Sequence, residues 1–493
     1  MTSDTDAAGP SRIPLTIRLA DGAALLLVAM AAWVEFAGGR RYLLFGMVMS
    51  LKSPLVLAYA AASVVIVRHL LWPRPSVLDH ARATARSLSG HPDFAIALRA
   101  FLATRPAVLI VGLFAVLTFG FAGRPGLSLS DDPLANLPAR YDAGWYGGIA
   151  IEGYSWDHSF QRQRNIAFFP AYPMLIRPVG AVFGMGEPQA SRDRRLLRAL
   201  WAGVVISLAA FLWALWYFVR LGRELVGPAA AESATFLLAA YPFALFFSAP
   251  YTESLYLLCA VGAFHHYRRA EWAASSIWGL LLGLTRPNGC FASVPLAILA
   301  CQQLGGVQGL YGAVSCTSAV ASAAGRWKPM AVRLLVAAMP GIGMLLFTAY
   351  LYSLTGVWFA WARSHEAWGR TYQGLAQIET AFGWLRDESL LTIIANVPYN
   401  TMNTIGVVFG LVLTYPVFRR LGAAWGVFVL INLVPPLFAG GVLSMGRLTS
   451  TLFPLFLALA AIVPAGAAPA WIAAFGIAQG LCAALFFTWR QLF

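Results

Sequence analysis

Apolar residues along this chain follow neither the alternation of a strand nor the single stripe of a surface helix. They run on for about twenty residues at a time, broken by short polar stretches. A helix rising ~1.5 Å per residue needs about that many to cross a ~30 Å hydrocarbon core. Spans are expected near 16–37, 54–72, 107–122, 199–219, 230–248, 251–267, 272–285, 289–302, 331–352, 396–416, 422–440, 449–463 and 468–488. The expected total is about thirteen, within about eleven to fourteen, because several runs are short for a bilayer. The pattern thus predicts an all-α polytopic integral membrane protein. The leading stretch TSDTDAAGPSRIPLTIRLADG lacks a signal-peptide cleavage layout, so the first run reads as an uncleaved span.

Basic residues set the orientation. The connection 73–106 carries Arg74, Arg82, Arg86, Arg99 and Arg105 and is expected on the cytoplasmic side. Arg220 with Arg223, Arg268 with Arg269, the Arg326/Lys328/Arg333 group and Arg419 with Arg420 then fall on that side too; Arg40, Arg41 and Lys52 dissent. One segment decides the parity. AFFPAYPMLIRPVGAVFGMG (167–186) is apolar, yet it holds Pro170, Pro173, Pro178 and a central Arg177. Three prolines interrupt backbone bonds that lipid would leave unsatisfied. It is therefore expected as a re-entrant or interfacial helix on the outer side, which leaves SRDRRLLR (191–198) outside near the headgroups. Under that parity RYD (140–142), PYTES (250–254), TRPNG (285–289) and SMGR (444–447) reach one face of the membrane. Ionisable groups converging at membrane level are a functional-site hypothesis by default.

Composition agrees with the pattern. The chain is 59% hydrophobic and 11% charged, against about 25% charged in soluble proteins. The net charge of +14 is dispersed in clusters between spans rather than gathered in a patch, which argues against a nucleic-acid partner. Cys259, Cys290, Cys301, Cys316 and Cys482 are scattered, with no CxxC, and point to neither a disulfide framework nor a zinc site. The Gly/Ala/Ser-rich connection 303–330 reads as a cytoplasmic loop. Segment 354–395, with Trp358, Trp361, Trp368, Tyr372 and Trp384, is either an acceptor groove or lid or an interfacial aromatic belt.

The acidic residues are few, and five of the 21 lie in 124–165: Asp131, Asp132, Asp142, Glu152 and Asp157. Asp142 stands out because Tyr141, Trp145, Tyr146 and Ile149 share one helical face beside it. A short amphipathic helix on the membrane would put this carboxylate at the water–lipid boundary. Partial desolvation there strengthens a carboxylate as a general base. Periodicity alone leaves the choice between base and loop charge open.

The motifs ARYDAGWYGGIAIEGY, RNIAFFPAYP, SAPYTESLY, TRPNG and SMGRLTSTLFPLF occur in order over about residues 130–455. In this they resemble the PIG-V mannosyltransferase family of the GT-C glycosyltransferases. The matching positions are Arg140, Asp142, Ala143, Ile149, Ala150, Gly153, Tyr154, Ala167, Phe168, Phe169, Pro170 and Pro173, then Tyr251 to Ser254, Arg286, Asn288, Gly289, Arg447, Phe453 and Pro454. Eukaryotic members carry a His shortly after the Asp, where this chain has Trp145-Tyr146.

The resemblance implies a GT-C-type helix bundle with an external catalytic loop and juxtamembrane helices. Residues 1–106 would be a tail, two added spans and a basic connection, and 107–493 the catalytic module with external loops 124–198 and 354–395. It further implies transfer of a hexose, mannose in PIG-V relatives, from a polyprenyl-phosphate sugar to an acceptor hydroxyl, with inversion, on the extracytoplasmic side of a bacterial-type plasma membrane. Asp142 is the base it names. Arg140, Arg286 and Arg447 are candidates for the leaving phosphate, which a bidentate guanidinium suits. Glu253 is a second acidic group or a partner of one of these arginines. Tyr141, Trp145, Tyr146, Asn165, Phe169, Tyr172, Tyr251 and Asn288 complete the expected substrate-binding set. A cofactor is not demanded, although Asp131, Asp132 and Glu253 are hard oxygen ligands that Mg²⁺ or Mn²⁺ accepts. Expected partners are the lipid bilayer, the polyprenyl-phosphate donor, a glycolipid, glycan or protein acceptor and an accessory subunit. The rival class is a transporter or flippase for a lipid-linked sugar. Against it, no internal repeat is found, and the acids Asp21, Glu35 and Glu232 near spans have no partner in sequence.

Overall fold

A computed structural model describes residues 14–37, 40–44, 47–51, 54–73, 75–80, 90–303, 320–376, 379, 389, 391–392 and 398–492. Arg74, Arg82, Arg86, Lys52, Cys316, Trp384 and most of the expected loop 303–330 lie outside the described residues, as do the side chains of Glu35, Arg40 and Arg41. The chain forms two compact units, Met1–Ala95 with Ala181–Ala190, and Ile96–Gly180 with Ser191–Phe493.

The first unit contains α1 (Leu15–Ala37) and α2 (Pro54–Leu71), which pack together. Between them β1 (Arg40–Leu44) and β2 (Met47–Leu51) pair antiparallel, Arg40 opposite Leu51. This hairpin is the exception to the expected helical pattern. It occupies the connection whose arginines dissented from the orientation rule. Asp21 on α1 is buried but not alone: Arg68 Nε and Nη2 donate to its two oxygens at 2.5 and 2.9 Å, and His80 Nδ1 lies at 2.6 Å. Pairing is what makes such a carboxylate tolerable on an apolar helix.

The second unit holds most of α3 (Pro92–Phe119), α4 (Ala143–Glu152), most of α5 (Ala171–Val182), α6 (Arg192–Val226), α7 (Pro228–Ala240), α8 (Glu253–Arg268) and α9 (Trp272–Gly283). There follow α10 (Ser293–Gln303), α11 (Val320–Thr355), α12 (Ala360–Ser364), α13 (Pro398–Arg420), α14 (Ala423–Gly440), α15 (Met445–Ser450), α16 (Pro454–Ile462) and α17 (Ala468–Phe487). Among the described residues, six helices are long and apolar enough to cross a membrane, or seven if one bent pair counts as a span. The expected total of about thirteen is thus not confirmed. Length accounts for part of the difference: α8 has sixteen residues and α9 twelve, short for a full span. All of α8 except His266 and Arg268 is buried, packed on α6 and α9. Segment 167–186 yields only the twelve residues of α5, about 18 Å of helix and too short to be a full span. Pro170 precedes that helix and Pro178 sits inside it. SRDRRLLR forms the opening of α6, where Ser191 Oγ accepts the Arg194 N–H at 3.3 Å.

The bent pair shows how irregular backbone is kept among apolar helices. After α7, Pro242 cannot continue the ladder, and the 3₁₀ turn Pro242–Ser248 leaves at 77°. The carbonyls freed at the bend are met from two other helices. Arg105 donates to Ala239 O at 2.7 Å and Ala244 O at 2.5 Å, while Gln479 Nε2 reaches Ala239 O and Tyr241 O, each at 2.9 Å. Arg105 was expected as a cytoplasmic marker in the connection 73–106. It is instead buried in α3, with its guanidinium 4.8 Å above the Phe211 ring. Glu232 likewise finds a partner, Arg99 at 2.9 Å. Arg105→Met keeps the volume and removes these donors. It is expected to cost about 2–4 kcal/mol, because two buried carbonyls lose a charged partner; a lowered unfolding temperature in detergent is the measurement.

Candidate active site

The site is assembled from the loop before α4 outward. In that loop Asp132 Oδ1 accepts the Leu134 N–H at 2.9 Å and closes a turn, and both Asp131 and Asp132 are exposed. Arg140 is fully buried. Its Nε donates to Phe487 O at 2.7 Å and its Nη1 to Asn136 O and Ala139 O at 2.8 Å, so it pins the loop to the end of α17. Tyr141 then takes a left-handed conformation, φ +43°, which costs a non-glycine residue about 1–2 kcal/mol. The turn is held on both sides. The Tyr251 hydroxyl accepts the Asp142 N–H at 3.0 Å and donates to Arg140 O at 3.0 Å, and Tyr141 donates to Arg490 O at 2.9 Å.

Helix α4 starts only after this turn, so Tyr141 does not share the helical face expected of it. Asp142 is the N-cap residue, yet its side chain caps nothing. Its Oδ2 instead accepts from Arg447 Nη1 at 3.0 Å. Two further details fix the helix. Asn165 ties down the following loop, Nδ2 to Gly153 O at 3.0 Å, and Arg177 on α5 donates to Ala150 O at 3.0 Å, meeting carbonyls near the helix end.

Arg447 comes from α15, which begins after Ser444 at φ +59°. Gly406 on α13 makes the approach of that helix feasible: a Cβ at Gly406 would stand 2.8 Å from the Gly446 Cα, and Asn403 Oδ1 accepts the Gly446 N–H at 2.8 Å. The Arg447 guanidinium lies 4.5 Å above the Tyr251 ring, and its Nε donates to Glu253 Oε1. The same oxygen accepts from Arg286 Nη1 at 2.8 Å. Burial works against the charge of Arg447, but Glu253 and Asp142 outweigh it and hold the guanidinium protonated. Glu253 is wholly buried at the start of α8, and so acts as the partner of two arginines at once. Asn288, next to Arg286, is fixed by Asn432 Oδ1 at 2.8 Å.

These groups border a cavity of about 760 Å³. Of the expected residues, Tyr141, Asp142, Trp145, Tyr146, Phe169, Arg286, Asn288 and Arg447 line it. Trp145 stacks on Phe168 at 5.6 Å, and Trp368 stands edge-on to both at 5.9 and 5.7 Å. The rest do not reach the lining. Arg140 is spent on carbonyls, Tyr251 and Glu253 lie behind Asp142 and Arg447, and Tyr172 is buried with its hydroxyl on Gly203 O at 2.7 Å. The loop acids are not drawn to Glu253: among the described residues no three His, Cys, Asp or Glu side chains group as metal ligands.

Segment 354–395 contributes Trp368, one of its expected groove or belt aromatics, and two residues the sequence reading did not single out, His365 and Arg370. His365, Trp368 and Arg370 all line the cavity. Burial, with Arg370 nearby, pushes His365 down to about 4, and its Nδ1 lies 2.8 Å from Trp361 O. Neutral at pH 7, it offers Nε2 as an acceptor when Nδ1 donates to that carbonyl. The available signal was the string HEAWGR, titratable residues inside an external aromatic stretch.

Residues 128–365 match the family model described as Mannosyltransferase (PIG-V), which bears out the motif resemblance over that stretch and supports reading it as a membrane glycosyltransferase. Among solved structures, the oligosaccharyltransferase of Archaeoglobus fulgidus is similar at 13% identity and a TM-score of 0.38, covering 78% of this chain. The chain spans about half of that protein's length, 53%. No curated protein matches the chain.

Glu253→Gln removes the carboxylate that Arg286 and Arg447 share and leaves Arg447 only Asp142. Breaking a buried pair from one side costs about 3–5 kcal/mol, so a clear drop in thermal stability in detergent is expected. An unchanged unfolding temperature would contradict the shared-anchor role.

Proposed function

We propose that this protein is an inverting glycosyltransferase that moves a hexose, mannose by family affinity, from a polyprenyl-phosphate donor to a hydroxyl of a glycolipid, glycan or protein. Asp142 takes the acceptor proton, the acceptor oxygen bonds to the anomeric carbon, and the bond from that carbon to the phosphate oxygen breaks with its electron pair leaving on phosphate. One base opposite the leaving group suffices for inversion. The reading places the cavity on the extracytoplasmic side of a plasma membrane, where sugar must arrive on a lipid carrier.

One observation carries the reading. Asp142 stands at a helix N-cap, where aspartate is among the preferred residues because its carboxylate caps the free amides, and does not cap. Its carboxylate lines the 760 Å³ cavity instead, with Arg447 on Oδ2 alone. The Trp145/Phe168/Trp368 group supplies flat apolar surface of the kind sugars stack against.

Purified protein mixed with polyprenyl-phosphate-mannose and a crude lipid or protein acceptor should transfer sugar. Asp142→Asn should fold normally and lose transfer by about 10²–10⁴-fold. Undiminished transfer in that variant removes Asp142 as the base, and sugar crossing vesicles without transfer favours a transporter. Cysteine labelling near residue 190 with an impermeant reagent tests the sidedness; labelling only from the cytoplasm would overturn it.

A further inference from the structure

Four arginines bear on the site, and they differ in what already neutralises them. Arg140 is turned onto backbone carbonyls behind the loop. Arg447 is paired with Glu253 and Asp142, and Arg286 with Glu253. Arg370 lines the same cavity and forms no ion pair among the described residues; its Nη2 donates to Leu443 O at 3.2 Å. Three guanidiniums on the cavity lining therefore share two carboxylates, Asp142 on the lining and Glu253 behind it, leaving one positive charge in excess.

From this we propose that Arg370 is the docking residue for the phosphate of a lipid-linked ligand, with Arg286 and Arg447 shaping the field around it; this extends the transferase reading to a residue that reading did not assign. The side chain is held ready for the role. Gln373 N donates to Phe438 O at 3.1 Å, tying the segment after Arg370 to α14. The side chain runs along Gly440 on that helix, with Arg370 Cγ and Nη1 each at ordinary contact distance, 3.4 Å, from where a Cβ would stand. The electrostatics agree with the geometry. Burial and then the neighbouring Arg286 and Arg447 push Arg370 down to about 10, with Asp142 opposing. An arriving phosphate oxyanion relieves that repulsion and offers a guanidinium two parallel hydrogen bonds. The apolar residues Pro435, Pro436, Ala439 and Leu443, also on the lining, suit the hydrocarbon that follows the phosphate in a lipid carrier.

The test is binding, read apart from turnover. Farnesyl phosphate, farnesol and inorganic phosphate are titrated into detergent-solubilised full-length protein, following tryptophan fluorescence, since Trp145, Trp368 and Trp489 line the cavity. Arg370→Gln should weaken farnesyl phosphate by roughly 10- to 100-fold, as expected for losing a charged hydrogen-bond partner, and leave farnesol unchanged. Arg370→Lys should recover part of the loss. Inorganic phosphate should compete with farnesyl phosphate on the wild type and not on Arg370→Gln. Equal farnesyl phosphate binding in Arg370→Gln overturns the proposal, as does an equal loss of farnesol, which would mark a collapsed cavity. A wild type that fails to distinguish farnesyl phosphate from farnesol overturns it too. Arg370-dependent phosphate binding without any sugar transfer would retire the transferase reading and leave this site standing. Transfer with an Arg370→Gln donor KM equal to wild type does the reverse.

Discussion

The candidate site hangs on one buried carboxylate. Glu253 has no exposed surface, and a single oxygen of it accepts from both Arg286 and Arg447. An isolated carboxylate could not be kept ionised at that depth, and neither could two isolated guanidiniums; together they offset one another's charge, all through Oε1, while the buried Oε2 has no hydrogen-bond partner among the described residues. The arrangement also carries position. Glu253 opens α8, Arg286 precedes the 3₁₀ turn Pro287–Ala292, and Arg447 sits in α15, so three separate parts of the chain meet at one oxygen. Through Arg447 the constraint reaches Asp142, which makes the cavity wall a consequence of a buried ion pair rather than of loop conformation alone.

Backbone strain clusters around the same point. Tyr141 and Ser444 both hold positive φ without being glycine, and each lies within three residues of a charged member of the network. Strain of this kind persists only where the surroundings over-determine it. Around Tyr141 they do: Tyr251 brackets the turn, Arg140 anchors its start, and the tyrosine ring packs 4.5 Å from Trp489. The turn is what points the Asp142 carboxylate away from the helix it precedes. A relaxed N-cap would have spent that carboxylate on the amides of α4.

What could be read in the sequence and what could not divide along physical lines. RYD, PYTES, TRPNG and SMGR were legible because charged residues in an apolar chain need a reason, and the structure joins Asp142, Glu253, Arg286 and Arg447 by direct bonds. Helix positions were legible from the long apolar runs, but not their lengths or burial, since the run 251–267 gives the sixteen-residue α8, almost wholly inside the protein. The roles of Arg105 and Arg140 were hidden because their partners are backbone carbonyls made available by a bend and by a helix end, and carbonyls leave no mark in a sequence. Arg370 was hidden for the opposite reason. Its surroundings are aromatic and read as an interfacial belt, so nothing local distinguishes it until folding brings it to the cavity.

Under the proposed transfer, the same network explains how charge can move through the site without a change in its total. Before reaction, Asp142 is anionic and the donor phosphodiester carries a single negative charge. Afterwards Asp142 holds the acceptor proton, and the phosphate, released from carbon, has gained the charge that Asp142 gave up. Arg447 is bonded to Asp142 and lines the same cavity as Arg370, so it can relax its hold on the carboxylate as the phosphate becomes the stronger acceptor. Its Nε bond to Glu253 keeps the guanidinium in place while its Nη1 partner changes charge. A preorganised set of donors that need not move is the feature that makes electrostatic stabilisation effective in a water-poor site. The Glu253 anchor, buried and shared, is what keeps this set from collapsing onto Asp142.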